Sequence, residues 1–304
     1  MPLPATSVSS VKAAPVPSAP CQIPAGSSVV VIQPNRINVK CVKASFKSVI
    51  YDSSVPNNRD AVSVEIETKG FAFDGEAREL MTALNAHPGP FLDIGANLGW
   101  FTTMVTACTN RVTYAIEPFA ENFNRLLASA CENEVLSSRL HAYNIGLDTK
   151  SSKCSLYQVP DHNKGDTHSI CDEEQKAAFA ARNYIELGVM QTAPLDSLYS
   201  SGQLGDVPFS LMKIDVEGYE LNSILSASAF LSSSIAPQCI NIEMDSRRSQ
   251  EASSWHVDCE AYIGGLRVIL RGYGYRHEAS DNLNSKLYCS KFDFKTLMFC
   301  KHQK

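Results

Sequence analysis

An open α/β sheet, mostly parallel and covered by helices on both faces, is the fold this sequence predicts. Three observations predict it. A short apolar strand, Phe91-Leu92-Asp93-Ile94, runs into the small-residue loop Gly95-Ala96-Asn97-Leu98-Gly99 and then into an apolar helix from Trp100 to Cys108. From that corner onward strand-type and helix-type segments alternate, the pattern of a sheet built from βαβ units. Two further strand-type runs end in acids, Tyr114-Ala115-Ile116-Glu117 and Leu211-Met212-Lys213-Ile214-Asp215. Carboxylates therefore gather at the C-terminal edge of the strands, where open α/β sheets bind ligands.

In chain order, residues 1–27 are rich in Pro, Ser, Ala and Val, and no acid occurs before Asp52. Acid-poor, Ser-rich leaders occur as organelle transit peptides, but the scattered prolines spoil an amphipathic helix, so a disordered tail is the competing expectation. No apolar h-region follows the start, which disfavours a secretory signal. Val29–Ile32, Val42–Tyr51 and Val62–Ile66 cluster or alternate as strands, predicting an N-terminal β extension over residues 28–70. The main domain then spans 71–304. Gly75–Ala86 has helical spacing at Ala77, Leu80, Met81 and Leu84.

After Phe91 the expected strands are Val112–Ile116, Leu140–Ile145, an inserted strand at Lys153–Val159, then Phe209–Ile214 and Ile240–Met244. Helices are expected at Glu121–Cys131, Asp172–Leu187 and Val257–Arg271, and a loop at Asp161–Ser169. Tyr275–Glu278 and Leu287–Phe299 complete the sheet as an antiparallel pair.

The corner reads Asp93-x-Gly95-x-Asn97-x-Gly99, which is not the dinucleotide spacing G-x-G-x-x-G. It suits a ligand with a cationic amino-acid end and no pyrophosphate, as in S-adenosylmethionine (SAM). Asp93 is placed to attract the ammonium, and Gly95 and Gly99 to let the backbone approach closely. Asn97 holds the loop or touches the cofactor. Glu117 lies about 20 residues beyond Gly95 at the next strand end, where an acid accepts bonds from ribose hydroxyls. Asn144, at the end of the third strand, is the candidate reader of the adenine edge, with turn formation as its local alternative.

In Lys213-Ile214-Asp215-Val216-Glu217-Gly218-x-Glu220, Asp215 and Glu217 share a strand face. Paired carboxylates serve as general base, hydroxyl acceptor or divalent-metal ligands. Glu220 suits a helix N-terminus. Glu243 and Asp245 repeat the pattern one strand on, and His168 is a further candidate base in the polar loop.

Together these three motifs resemble the FkbM-type methyltransferases, over roughly residues 60–245. The resemblance implies a Rossmann-like class I methyltransferase core, a seven-stranded, mostly parallel sheet, with SAM as cofactor and often O-methylation of a hydroxyl on a small molecule or glycan. It names no acceptor; the loops Asp161–Ser169 and Ser246–Trp255 are expected to shape that pocket. A NAD-dependent oxidoreductase and a non-catalytic SAM-binding protein are the alternatives. The first lacks its glycine fingerprint, and no motif looks degraded as the second would suggest.

The net charge of −5 offers no basic footprint for nucleic acid, and the Arg247-Arg248 pair suits a solvated edge. No apolar run reaches the roughly 18 residues of a membrane span. Oligomeric state is not legible. The ten cysteines include no C-x-x-C, and Cys108, Cys131 and Cys239 sit within apolar patterns. Buried thiols in a reducing compartment, the cytoplasm or an organelle, are the expectation, and the spacing does not suit zinc.

Overall fold

The computed structural model describes residues 11–14, 21–158, 163–165, 167–181, 183–244, 259–277 and 295–301. The chain enters through a hairpin, β1 (Ser27–Ile32) and β2 (Phe46–Tyr51), paired antiparallel. Helices α1 (Ala61–Lys69) and α2 (Asp74–Ala86) lead to the first core strand, β3 (Phe91–Ile94). The core continues through α3 (Trp100–Thr109), β4 (Thr113–Ile116), α4 (Ala120–Glu132), α5 (Glu134–Ser137) and β5 (Leu140–Tyr143).

An insertion follows: β6 (Gly146–Leu147), β7 (Lys153–Gln158), β8 (Thr167–Ile170), α6 (Glu173–Ala181) and β9 (Ile185–Ala193). It forms a separate four-stranded sheet in the order β6-β9-β7-β8. The chain returns through α7 (Leu195–Ser200), β10 (Leu211–Ile214), α8 (Glu220–Leu225), α9 (Ser228–Leu231) and β11 (Cys239–Met244). Helix α10 (Cys259–Gly272), β12 (Tyr275–His277) and β13 (Lys295–Lys301) close the main sheet.

That sheet has seven strands in the order β12-β13-β11-β10-β3-β4-β5. All neighbours from β11 to β5 run parallel, and β13 is antiparallel to both its neighbours. The predicted fold class is the one observed. The central strands are buried on both faces, so alternate residues feed two cores. Leu92, Ile94, Met212 and Ile214 enter one, while Phe91, Leu211 and Ala115 enter the other beneath α2, α3 and the N-terminal hairpin. Asp93 and Lys213 share that second face by the same alternation.

Three local readings are corrected. Val62–Ile66 is helix, within α1. Its β-branched residues favour strand, but Asp60 caps the turn by accepting from Ser63 N, and Gly70 ends it in the left-handed region. Tertiary contact then buries Val62, Ser63 and Ile66 on one helical side. The Asp172–Leu187 helix stops at Ala181, with Asn183 at φ 61, and β9 starts at Ile185. Thr167–Ser169 is not loop but strand, paired with β7. Within the segment read as a tail, Ala14 bridges the β5 edge through Ala142 O at 2.7 Å, and Cys21 is bonded to Cys131.

The cysteines are the largest correction. Eight of them form four disulfides: Cys21–Cys131, Cys41–Cys108, Cys154–Cys171 and Cys239–Cys300. Cys108, Cys131 and Cys239, read as buried thiols, are all paired. Their partners lie 67, 110 and 61 residues away in sequence, and connectivity at such range is not legible from spacing. Among the described residues, no helix is long and apolar enough to cross a membrane.

Candidate active site

The glycine corner, the end of β4 and the end of β10 converge as expected. Two cavities open there and share Gly95, Asn97, Gly165, Asp215 and Glu217. The first is a cleft between the sheet edge and the insertion. Ile94, Ile116, Ile145 and Met190 give it apolar walls, and Glu117 and Asn122 give it polar groups. The second, of about 490 Å³, lies under α1, α2 and the start of α3.

Glu117 is 4% exposed and lines the cleft. Its Oε2 accepts from Asn97 N and its Oε1 from Phe119 N, each at 2.8 Å. Burial pushes its pKa up to about 7, against the pull of those two donors. Each oxygen keeps a lone pair for a further donor. Asn97 holds φ 52, and its own Oδ1 accepts from Leu98 N at 2.7 Å. The loop is thereby braced between the two cavities.

Three corner residues have structural contacts of their own. Gly95 adopts φ 79, and a Cβ there would lie 1.6 Å from the Asp215 carbonyl oxygen. The position is glycine because two loops of the fold touch. Gly99, at φ 89, faces Leu126 of α4, whose side chain a Cβ would meet at 2.4 Å; it lines neither cavity. Asp93 is 1% exposed and accepts from Thr102 Oγ1 at 2.6 Å. It too lines neither cavity, and burial raises its pKa against the opposing Lys213 charge.

Asn144 spends its amide on Glu117 O and Pro118 O, at 2.8 and 3.0 Å, and so holds the loop after β4. Ile145, Gly146 and Leu147 line the cleft in its place. His168 is 2% exposed, with its ring against Phe179 and Tyr184. Strand alternation turns Thr167 and Ser169 toward the cleft and His168 away, into the insertion's own core.

Asp215 and Glu217 border both cavities. Lys213, 1% exposed, donates from Nζ to Asp215 Oδ2 at 2.8 Å. Burial opposes its charge, but Asp215, Glu76, Asp93 and Glu243 together hold it protonated. Glu243 lines the larger cavity with its pKa raised, first by the Asp215 charge and then by burial, so this pair of carboxyls tends to hold a proton between them. Glu220 is structural: it accepts from Gly218 N at 2.9 Å and from Tyr262 Oη at 3.0 Å. Asp245, Arg247, Arg248 and the loop Ser246–Trp255 lie outside the described residues.

Sequence reasoning assigned no role to Lys213, Glu76 or Asp60. Lys213 carried a signal, being a cation in the middle of an apolar strand. Glu76 and Asp60 carried none, because acids near a helix start read as caps. Among the described residues, no group of three or more His, Cys, Asp or Glu is arranged to hold a metal ion.

The sheet order, with a cleft at its strand ends, is that of the class I methyltransferase fold. The Methyltransferase FkbM domain matches residues 93–277, and the chain belongs to that family. Among solved structures it is similar to methyltransferase FkbM from Methylobacillus flagellatus KT, at 15% identity and a TM-score of 0.39, over 71% of this chain and 45% of that one. It thus spans less than half the length of that relative. It is also similar to the magnesium protoporphyrin IX methyltransferase of Synechocystis PCC 6803, at 10% identity and a TM-score of 0.40, over 75% of this chain and 77% of that one. No curated protein matches.

Proposed function

We propose that this chain methylates a hydroxyl of a small molecule or glycan seated in the larger cavity, with SAM held in the cleft. Two carboxylates that border both cavities, Asp215 and Glu217, carry the reading. The cleft suits the cofactor in its donor set: a carboxylate fixed by two backbone amides at the ribose position, and isoleucine and methionine walls for a flat base. Glu117 would hold the ribose and Ile145 to Leu147 the adenine. The cofactor supplies an electrophilic methyl on a cationic sulfur, so the protein needs no covalent nucleophile.

The chain's own task is placement, with the acceptor oxygen about 3–3.5 Å from the methyl and in line with it. Asp215 takes the hydroxyl proton as the oxygen gains its methyl. Lys213 keeps that carboxylate oriented through the 2.8 Å bond. No metal step is proposed, because the ammonium already neutralises Asp215. Four disulfides favour an oxidising compartment over the cytoplasm.

Asp215→Asn tests the mechanism. Methyl transfer should fall by about 10²-fold or more with S-adenosylhomocysteine affinity little changed. A chelator should leave the unaltered enzyme's rate where it was. Near-normal turnover in the variant moves the proton acceptor elsewhere, and loss on chelation restores a metal.

A further inference from the structure

The cleft at the strand ends holds a polar side chain to which the sequence motifs give no role. Asn122 lies on the first turn of α4, lines the cleft and is 2% exposed. Its amide offers one acceptor oxygen and one donor nitrogen. The oxygen is taken: Oδ1 accepts from Tyr51 Oη at 2.7 Å. Among the described residues Nδ2 makes no hydrogen bond, and it keeps a small opening to water. Asn122 lines the cleft and not the larger cavity, so that opening is onto the cleft.

Tyr51 decides which way the amide faces. It ends β2 and is fully buried. Burial raises the pKa of its hydroxyl, which therefore stays protonated and needs an acceptor. Asn122 Oδ1 is the acceptor it has. Turning the amide over would set an N–H against that hydroxyl and leave the phenol proton bare. The ring itself cannot swing away. Tyr51 N donates to Ser63 Oγ at 3.0 Å, and the Arg125 guanidinium lies 3.4 Å over the ring centre. Arg125 donates in turn to Glu121 O, within α4, and to Ala25 O in the segment before β1. The Cys21–Cys131 disulfide fastens that segment to the far end of α4. Tyr51 lies outside residues 93–277, so a part of the chain beyond the family's matched region sets the orientation of a cleft side chain.

The chemistry of the wall is complementary to a hydroxyl. A hydroxyl donates one proton and accepts through its oxygen. Glu117 supplies only acceptors, and its Oε1 already accepts from Phe119 N at the junction of β4 and α4. Asn122 stands on the other side of that junction and supplies the donor that a carboxylate lacks.

We propose that Asn122 is a second ribose contact, donating from Nδ2 to a hydroxyl oxygen of the cofactor's ribose, and that Tyr51 is the positioning residue that aims it. This rests on the methyl-transfer reading above and adds to it a donor and the residue that orients that donor.

Calorimetry on the full chain tests it, with S-adenosylhomocysteine and its 2′-deoxy and 3′-deoxy analogues as probes. Asn122→Ala should weaken S-adenosylhomocysteine binding by about three- to tenfold, the scale of one neutral hydrogen bond. The analogue that lacks the contacted hydroxyl should bind the variant and the unaltered chain alike. Tyr51→Phe should cost about twofold or more, with the same analogue erasing the loss. In the Asn122→Ala background it should add nothing, because no amide is left to aim. Thermal unfolding without ligand reports the fold separately. If Asn122→Ala does not fold, Tyr51→Phe, which removes a single oxygen, carries the comparison of the three probes. Unchanged affinity in Asn122→Ala, or an equal loss with all three probes, overturns the proposal. Losses that add in the double variant remove Tyr51 from it. Failure of the unaltered chain to bind S-adenosylhomocysteine removes the methyl-transfer reading and this proposal with it.

Discussion

Glu117 shows how one side chain serves the fold and the site together. Its two oxygens tie the glycine corner to the loop after β4, yet each keeps a lone pair facing the cleft. Glu117→Ala should weaken S-adenosylhomocysteine binding by about 1.5–3 kcal/mol, and Glu117→Gln by less, because the amide oxygen still serves one backbone donor. Unchanged affinity in the alanine variant, by calorimetry, removes the residue from the ribose role. Gly95 makes the contrasting case. From the motif it reads as room for the cofactor, but its missing Cβ makes room for the Asp215 carbonyl. Gly95→Val should therefore lose the folded state, seen as a collapsed thermal transition by circular dichroism. A folded variant that merely fails to bind ligand would return Gly95 to the cofactor. A motif reports which residue types meet at a corner. It does not report whether ligand or protein occupies the space they leave, and the same limit hid the buried face of Gly99 behind Leu126.

At the scale of elements, legibility followed burial. Strands β3, β4 and β10 are buried throughout and read as mainly apolar runs, which is why their existence was accessible. Of the insertion only β7 was legible, as the inserted strand expected at Lys153–Val159. Strand β9 is largely exposed, and β8 alternates between cleft and insertion core, so neither shows an apolar run. What fastens this insertion is a long-range device no local pattern encodes. Cys154 on β7 is bonded to Cys171 just after β8, and that sulfur pair packs with Phe119, Leu156 and Met190 beside the cleft. The double variant Cys154→Ala, Cys171→Ala should lose about 2–4 kcal/mol of stability, on the chain-entropy scale for a loop of this size. It should also bind S-adenosylhomocysteine more weakly, since Met190 and Ser169 line the cleft from the insertion. Alkylation of the native protein with and without reductant, read by mass, checks the pairing directly. Reaction of these two thiols before reduction would remove the disulfide and weaken the case for an oxidising compartment.

Across the whole molecule the dominant electrostatic feature is a set of acids kept from water at one sheet edge. Glu76 and Glu117 are each raised to about 7, chiefly by burial, and Glu243, Asp60, Asp93 and Glu220 are raised as well. An unfolded glutamate titrates near 4.3. Between that value and about 7 the folded chain therefore binds more protons than the unfolded chain. Stability must fall as pH rises through this window, because its slope with pH follows the protons bound unfolded minus those bound folded. The stabilisation is fully present below the unfolded value and lost above the folded one. Surface acids with lowered pKa values, Asp52 and Asp74, act in the opposite sense but at lower pH, and they are exposed, so they do not cancel it. A tenfold gain in a carboxyl's proton affinity on folding is worth about 1.4 kcal/mol, and two buried glutamates moved together give a loss on the order of a few kcal/mol between pH 5 and 8. Urea denaturation under non-reducing conditions, with an unchanged m-value, should show that loss. Stability that is level or rising from pH 5 to 8 would mean these carboxyls are already solvated.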